Sequence, residues 1–240
     1  MSDTTAGRSP WGAALLGALG GTLLTLILLV LAARAGWLDR YVRETLVRDP
    51  DILIAASEAL KQKQFAPTLA ANRAALETPF GSSWEGARDG DVTLVEFYDY
   101  ACGYCRASLP VIDQLVKEDP KLKVVYREFP ILGEGSVAAS RMALGASKAG
   151  KFLAFHDALY AAGRPDQAGL TRAAAAAGIP AAVPQSPDIE SELKRNYALA
   201  QELGATGTPL FVVGDQVFNG AVGYEALKKA IADTRAARQG

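Results

Sequence analysis

The most informative stretch of the chain reads VTLVEFYDYACGYC and spans residues 92–105. Residues 92–100 form a continuous β-rich run, which is typical of a strand buried on both faces of a sheet. Two cysteines follow at once, as Cys102-Gly103-Tyr104-Cys105, and residues 106–119 then have the pattern of a helix. The stretch therefore predicts a strand that delivers a pair of cysteines to the start of a helix.

Cysteines in this position favour thiol chemistry. Unpaired backbone N–H groups and the helix dipole favour an anion at the first cysteine, so Cys102 is the expected thiolate nucleophile. Cys105 lies one turn further into the helix and is expected to resolve the mixed disulfide. A zinc site needs about four ligands, and the chain offers only the two cysteines, His156 and carboxylates. A structural disulfide and a Cu(I) site on the two sulfurs stay open, and no resident metal or cofactor is predicted.

Three further residues are candidates for the same site. Glu96 lies six residues before Cys102, and a carboxyl on a buried strand is costly unless it is paired or functional. It could take the proton of Cys105, and an ion pair with Lys or Arg is the structural alternative. Thr208-Pro209 begins a later strand, where the proline bond is either cis or trans. His156, at helical spacing in FLAFHDALY, is expected to be structural.

The N-terminal part contains a long uncharged run. After a tail of residues 1–10, residues 11–33 carry no charge, and at about 1.5 Å per residue such a helix crosses a hydrocarbon core of about 30 Å. Residues 11–35 are therefore predicted to be a single transmembrane helix, with a cleaved signal segment as the alternative. The arginines that follow favour a cytoplasmic C-terminal part, although long domains translocate largely regardless of flanking charge.

The remaining segments give the predicted domain organisation. Residues 36–80 read as helices with few large apolar side chains, so they are expected to pack on a partner chain or on the main domain. Residues 81–90 (GSSWEGARDG) read as a polar, glycine-rich linker. Residues 91–238 read as the main domain, with a helical block at about 135–204 between its strands. The order of these elements predicts an α/β fold.

Composition excludes several classes of protein. Half of the residues are apolar, which is enough for a core and excludes a mainly disordered chain. The chain has 25 Lys and Arg against 26 Asp and Glu, so no basic field exists to bind nucleic acid. Two cysteines cannot form a disulfide-rich scaffold.

The pattern resembles a known family. VTLVEFYDYACGYC, KVVYREFPILG, FHDALY and GTPLFVVGDQVFNGAVG together resemble the DsbA-like thiol–disulfide oxidoreductases of the thioredoxin superfamily. The resemblance covers residues 91–238 and implies a thioredoxin-like fold in which residues 135–204 are a helical insertion. It implies that Cys102 is the nucleophile and Cys105 the resolving cysteine. It also implies that Glu96 is a buried acid and that Pro209 is a cis-proline that binds the substrate chain. Thr208, Gly103 and Tyr104 are the further substrate contacts that it implies.

A second, shorter resemblance concerns the N-terminal helices. DPDILIAASEALKQKQ, residues 49–64, looks like the N-terminal helical segment of the ScsC-like subgroup. That subgroup includes isomerases and copper-tolerance proteins, and such a segment can mediate oligomerisation. The resemblance therefore implies a homo-oligomer formed through residues 37–80.

These observations lead to one functional hypothesis with alternatives. The chain is predicted to be a thiol–disulfide oxidoreductase of the bacterial inner membrane, with a periplasmic catalytic domain that acts on cysteines of exported proteins. A redox partner in the membrane must reset the cysteine pair. The Gly-Tyr dipeptide between the cysteines resembles that of isomerases, which favours an isomerase or reductase and leaves an oxidase open. A Cu(I)-binding envelope protein, a soluble periplasmic form and a cytoplasm-facing reductant are the alternatives.

Overall fold

The computed structural model describes residues 30–31, 34 and 36–238. The predicted tail (1–10) lies outside the described residues, and so does the predicted transmembrane segment (11–35) apart from residues 30, 31 and 34. Among the described residues, no helix combines the length and the apolar character that crossing a membrane requires. The chain divides into two compact units, Met1–Leu60 and Lys61–Gly240.

The first unit is helical where it is described. Helix α1 spans Trp37–Arg48, and helix α2 spans Asp51–Glu77, so that α2 continues into the second unit. Asp51 gives the first turn of α2 an acidic residue, which suits the positive end of the helix dipole. No residue of α1 is buried.

The second unit is built on a five-stranded sheet. Its strands are β1 (Trp84–Gly86), β2 (Val92–Tyr98), β3 (Leu122–Glu128), β4 (Leu210–Val213) and β5 (Gln216–Asn219), in the spatial order β1-β3-β2-β4-β5. Strands β2 and β3 are parallel, and the other neighbouring pairs are antiparallel. The central strand therefore carries the cysteine pair at its C-terminal end.

Strand β1 corrects the prediction of a linker at residues 81–90. Trp84 lies opposite Val125 in an antiparallel pair with β3, so part of this polar segment forms the edge of the sheet. The side chain of Trp84 also packs against the core around Val125, which outweighs the turn-forming residues on either side. The unit that contains the sheet begins at Lys61, ahead of the predicted start at residue 91.

Helices cover both faces of the sheet, which explains why β2 is buried over its whole length. Leu94 and Tyr98 contribute to one core cluster, whereas Val95 and Phe97 contribute to the other, as expected when side chains alternate along a strand. The first cluster includes residues of α3 (Gly103–Glu118), α4 (Glu134–Lys148), α5 (Phe152–Ala162), α6 (Gln167–Ala177) and α8 (Tyr224–Ala237). The second cluster includes residues of α2 and α7 (Pro187–Glu202). Helices α4 to α7 form the predicted insertion.

A buried arginine joins the second core to the end of α2. The Arg127 guanidinium is 2% exposed and lies 2.5 Å from the Glu192 carboxylate. It also donates hydrogen bonds to the backbone carbonyls of Ala75, Leu76 and Thr78. These carbonyls have no partner within the helix, so the side chain of Arg127 caps the C-terminal end of α2.

Candidate functional site

Cys102 is the N-cap residue of α3. Its backbone is extended (φ −77°, ψ 119°), and its sulfur accepts a hydrogen bond from the Cys105 backbone N–H at 3.4 Å. The helix begins at Gly103, three residues before its predicted start at Arg106. This places the sulfur among the unpaired amides of the first turn, where the helix dipole stabilises a negative charge. Both cysteines are free thiols in this structure.

Cys105 has a different environment from Cys102. Its side chain is completely buried, whereas Cys102 is 6% exposed. Burial, and after it the negative charge of Glu96, raises the pKa of the Cys105 thiol. Cys105 therefore keeps its proton until a nearby base removes it, while Cys102 alone reaches the surface.

The start of β4 brings Thr208 and Pro209 to the cysteine pair. The Thr208–Pro209 peptide bond is cis. The Cys102 thiol donates a hydrogen bond to the Thr208 carbonyl at 3.3 Å, across 106 residues of sequence. Because β4 pairs with β2, the sheet itself holds this segment beside the cysteines.

Glu96 is buried on β2 without a charged partner. It is 1% exposed, and its Oε1 atom has no hydrogen-bond partner. None of the ion pairs within residues 36–238 involves Glu96, so pairing with Lys or Arg does not explain its position. Burial raises its pKa well above the usual range, and the charges of Glu85, Cys102 and Glu128 act in the same direction.

Asp99 orders the loop that leads to the cysteines, and sequence reasoning did not identify it. One carboxylate oxygen accepts hydrogen bonds from the Ala101 N–H at 2.7 Å and the Ser136 hydroxyl at 2.6 Å. The other accepts from the backbone N–H groups of Ile131 and Leu132 at 2.8 and 2.9 Å. Asp99 thereby ties the cysteine loop to the loop after β3. Its place at the strand end is visible in the sequence, but its partners Ile131, Leu132 and Ser136 lie more than 30 residues away.

Exposed apolar side chains lie on the first turn of α3 and on the loop after β3. Tyr104 is 71% exposed, and Ile131 and Leu132 are 42% and 53% exposed. A Cβ atom at Gly103 would meet nothing within 4 Å, so the space above the first helical turn is open. An exposed apolar surface beside a reactive thiol suits contact with a polypeptide better than with a small polar molecule.

His156, for which a structural role was expected, is buried. It is 1% exposed, and its Nδ1 atom lies 3.2 Å from the Tyr100 hydroxyl. Burial lowers the pKa of the imidazole to about 3, so the ring is neutral.

Within the part of the chain that the structure describes, no cluster of three or more His, Cys, Asp or Glu side chains is placed to hold a metal ion.

Comparisons with known proteins agree with this geometry. The family model of the DSBA-like thioredoxin domain matches residues 93–232. A thioredoxin-like oxidoreductase from Silicibacter pomeroyi is 40% identical, with a TM-score of 0.65 over 69% of this chain and 98% of the other. The catalytic domain of Proteus mirabilis ScsC is 31% identical, with a TM-score of 0.66 over 72% and 99% of the two chains. A periplasmic thioredoxin-like protein from Salmonella enterica serovar Typhimurium is 30% identical, with a TM-score of 0.64 over 68% and 95%.

Curated relatives include two Na(+)/H(+) antiporters. The Na(+)/H(+) antiporter NhaA 3 of Salinispora tropica is 28% identical over an alignment of 165 residues, which covers 61% of this chain and 24% of the antiporter. The antiporter NhaA 1 of Salinispora arenicola is 28% identical over 163 residues. The chain thus spans about a quarter of the length of the curated relatives it matches.

Proposed function

Since this chain belongs to the DsbA-like thioredoxin family, we propose that it is a thiol–disulfide oxidoreductase that acts on cysteines of other proteins. One observation carries the proposal. The Cys102 sulfur lies at the first turn of α3, within hydrogen-bond distance of the Cys105 amide and of the carbonyl that precedes cis-Pro209. This arrangement provides an accessible nucleophile, a shielded second thiol and an adjacent backbone edge.

The proposed reaction is a two-step exchange. The Cys102 thiolate attacks one sulfur of a substrate disulfide, the S–S bond breaks, and the other substrate sulfur leaves as a thiolate that takes up a proton. Cys105 then loses its proton and attacks the Cys102 sulfur, which releases the second substrate thiol. Two electrons pass from the cysteine pair to the substrate, and the reverse sequence forms a substrate disulfide.

Glu96 is the proposed acceptor of the Cys105 proton. Negative charges on Glu96 and Cys105 repel each other, so the ionisation of Glu96 adds to the effect of burial and raises the pKa of the Cys105 thiol. A carboxyl without an ion-pair partner can exchange a proton at low cost when the charge nearby changes. Glu96 is therefore assigned the proton transfer that accompanies the second step.

The substrate chain is proposed to bind beside the cis-proline. Thr208 and Pro209 lie next to the Cys102 sulfur, and Gly103 and Tyr104 border it on α3. The open space at Gly103 and the exposed ring of Tyr104 support a polypeptide substrate. These four residues are the proposed substrate contacts.

The proposed location of the catalytic domain is the periplasm, where its substrates would be exported proteins. Similarity to the periplasmic Salmonella protein supports this location. The uncharged run at residues 11–33 supports an anchor in the inner membrane. A redox protein must be reset after each exchange, so a redox partner in the membrane completes the cycle.

We assign the protein to the isomerase or reductase type, because the Gly-Tyr dipeptide lacks a histidine.

Self-association through residues 37–80 is part of the proposal. Within the first unit, α1 and the start of α2 expose large apolar side chains, namely Trp37, Leu38, Tyr41, Val42, Val47, Ile52, Leu53, Ile54 and Leu60. Apolar surface of this kind usually marks a contact with another protein. A second copy of the chain is the proposed partner, since an isomerase benefits from two sites that hold one misfolded substrate.

Cysteine variants test the reaction. Cys102→Ser is expected to abolish insulin reduction and the refolding of scrambled ribonuclease, because it removes the nucleophile. Cys105→Ser should accumulate a mixed disulfide with substrate, because the resolving thiol is lost. The matched control is Ser108→Ala on the same helix, which should retain activity. Activity in Cys102→Ser equal to that of the wild type would refute the mechanism.

Thiol trapping in intact cells tests the direction and the location. A mass-tagged alkylating reagent added after acid quench should find the pair reduced if the protein is an isomerase or reductase. A membrane-impermeant reagent should label Cys102 if the domain faces the periplasm. A pair that rests oxidised would instead assign an oxidase, and protection from the impermeant reagent would place the domain on the other side of the membrane.

A further inference from the structure

A second buried carboxyl lies on the same sheet face as Glu96. In the parallel pairing of β2 and β3, Glu96 lies opposite Tyr126 and Tyr98 lies opposite Glu128. Positions two apart on a strand share a face, so all four side chains point toward the first core cluster. Glu128 is 1% exposed, and the exchange reaction proposed above makes no use of it.

Hydrogen bonds join Glu128 to His156 in a continuous chain. One Glu128 oxygen accepts from the Tyr98 hydroxyl, and the other accepts from the Ser140 hydroxyl at 2.6 Å. The Tyr98 and Tyr100 hydroxyl oxygens are 3.1 Å apart, and the Tyr100 hydroxyl lies 3.2 Å from His156 Nδ1. The other ring nitrogen, Nε2, is buried and has no hydrogen-bond partner. The chain therefore ends in a free acid–base atom.

Counting protons along this chain gives two complete arrangements. If Glu128 is ionised, Tyr98 donates to it, Tyr100 donates to Tyr98, and His156 donates from Nδ1, which leaves Nε2 without a proton. If Glu128 is protonated, every hydrogen bond reverses, and Nε2 carries the proton instead. The second arrangement holds one proton more than the first. Both charge states of Glu128 are therefore compatible with a complete set of hydrogen bonds along this chain.

We propose that Glu128 is a positioning residue of the redox site: hydrogen bonds to Tyr98 and Ser140 hold its carboxyl on the sheet face that it shares with Glu96, and its charge governs the ionisation of Glu96. The inference rests on the proposed function, because it assigns the proton balance of the same cysteine pair. It concerns protons only, and the two electrons of each exchange stay with the sulfurs.

The electrostatics of the cluster require this coupling. Negative charges on two carboxyls that share one apolar core repel each other, so ionisation of either acid opposes ionisation of the other. The charge of Glu128 raises the pKa of Glu96, and burial raises the pKa of Glu128 itself to about 8. Within residues 36–238, no Lys or Arg forms an ion pair with either acid. Ionisable and polar groups surround the two acids. Those that act on Glu128 are Glu96, Tyr98, Asp99, Tyr100, Ser140 and Tyr160. Glu85 and Tyr126 act on Glu96, and His156 is joined to Glu128 through Tyr98 and Tyr100.

The pH profile of Cys102 alkylation by iodoacetamide tests the proposal on the full chain. Ionisation of Glu96 opposes the thiolate of Cys102, so the titration of Glu96 adds an inflection to the wild-type profile, above the usual pH range of a glutamate. Glu128→Gln keeps the shape of the side chain and removes its charge, which should move this inflection to lower pH by about one unit, a tenfold change in proton affinity. Tyr98→Phe removes a hydrogen bond to the Glu128 carboxylate, keeps that acid protonated, and should move the inflection in the same direction.

Controls separate this role from a structural one. Tyr224→Phe makes the same change at a tyrosine bonded to the exposed Glu118, and its profile should superimpose on that of the wild type. If Glu128→Gln and Tyr98→Phe lower thermal stability but leave the profile unchanged, Glu128 is structural and the proposal fails. If Glu128→Gln does not fold, Ser140→Ala gives a milder test, since it removes only one hydrogen bond to Glu128. Lack of insulin reduction by the wild type would instead refute the proposed function, and the alkylation profile would still report on Glu128.

Discussion

Arg127→Met is expected to be among the most destabilising single changes in the second unit. The substitution removes the buried cation of Glu192, at a site where both side chains are 2% exposed. It leaves the carboxylate only the exposed Arg195, at 3.4 Å from its other oxygen. It also removes the hydrogen bonds that Arg127 donates to the carbonyls of Ala75, Leu76 and Thr78. Methionine fills much of the same volume, so the lost interactions, rather than a cavity, determine the effect.

The magnitude follows from the burial of the pair. Removing one partner of a buried ion pair costs about 3–5 kcal/mol, and the unpaired carbonyls place Arg127→Met toward the upper end of that range. A domain of this kind has a total stability of about 5–15 kcal/mol, so the change removes a large part of it. With a urea m-value of about 2 kcal/mol/M, the midpoint should fall by roughly 2 M.

Urea denaturation followed by far-UV circular dichroism measures this shift. Arg141→Met is the matched control, because it breaks an arginine–glutamate pair whose side chains are 35% and 41% exposed. An exposed pair contributes about 0–1 kcal/mol, so the control midpoint should fall by less than about 0.5 M. Equal shifts for the two variants, or a shift below about 0.5 M for Arg127→Met, would refute the reasoning.

Two further predictions concern the thiols and the buried imidazole. Iodoacetamide at pH 8 should modify Cys102 at least tenfold faster than Cys105, because burial and the charge of Glu96 raise the pKa of the Cys105 thiol. Peptide mass spectrometry measures the two rates, and comparable modification of both cysteines would contradict the assigned roles. Burial lowers the pKa of His156 to about 3, whereas an unfolded histidine titrates near 6.5, so stability should decline by about 1.4 kcal/mol per pH unit as pH falls from about 6 to 3. His156→Phe removes that contribution, and urea midpoints that fall equally steeply in both proteins would contradict it.

The centre of the fold was predictable because its signals are local. Val92–Tyr98 reads as a fully buried strand, and the cysteines follow it directly, so both the strand and the start of α3 could be read from neighbouring residues. The helical insertion was predictable for the same reason, since its four helices follow one another along the chain. The family resemblance added what spacing could not give, namely that the Thr208–Pro209 bond is cis.

The polar residues of the core were not predictable from local sequence. Arg127 and Glu128 are neighbours on β3, and such a pair usually marks a strand edge that faces solvent. Here helices cover both faces, so the two side chains are buried on opposite sides and find their partners separately. Arg127 pairs with Glu192, 65 residues away, and Glu128 with Tyr98, 30 residues away. Strand β1 was missed for a similar reason, because its partner β3 lies on the far side of α3 in the chain.

The packing of α2 has a consequence for where the folding unit begins. The family match starts at residue 93, yet Leu69 and Leu76 are 1% and 2% exposed in the core behind the sheet. The Phe65 ring lies against Gly204 at the turn after α7, where the backbone has a positive φ of 67°. A chain shortened to the homologous segment would leave that half of the core open to water and Arg127 without the helix end that it caps. The segment that matches the family and the compact unit of the structure thus have different limits, because the unit already begins at Lys61.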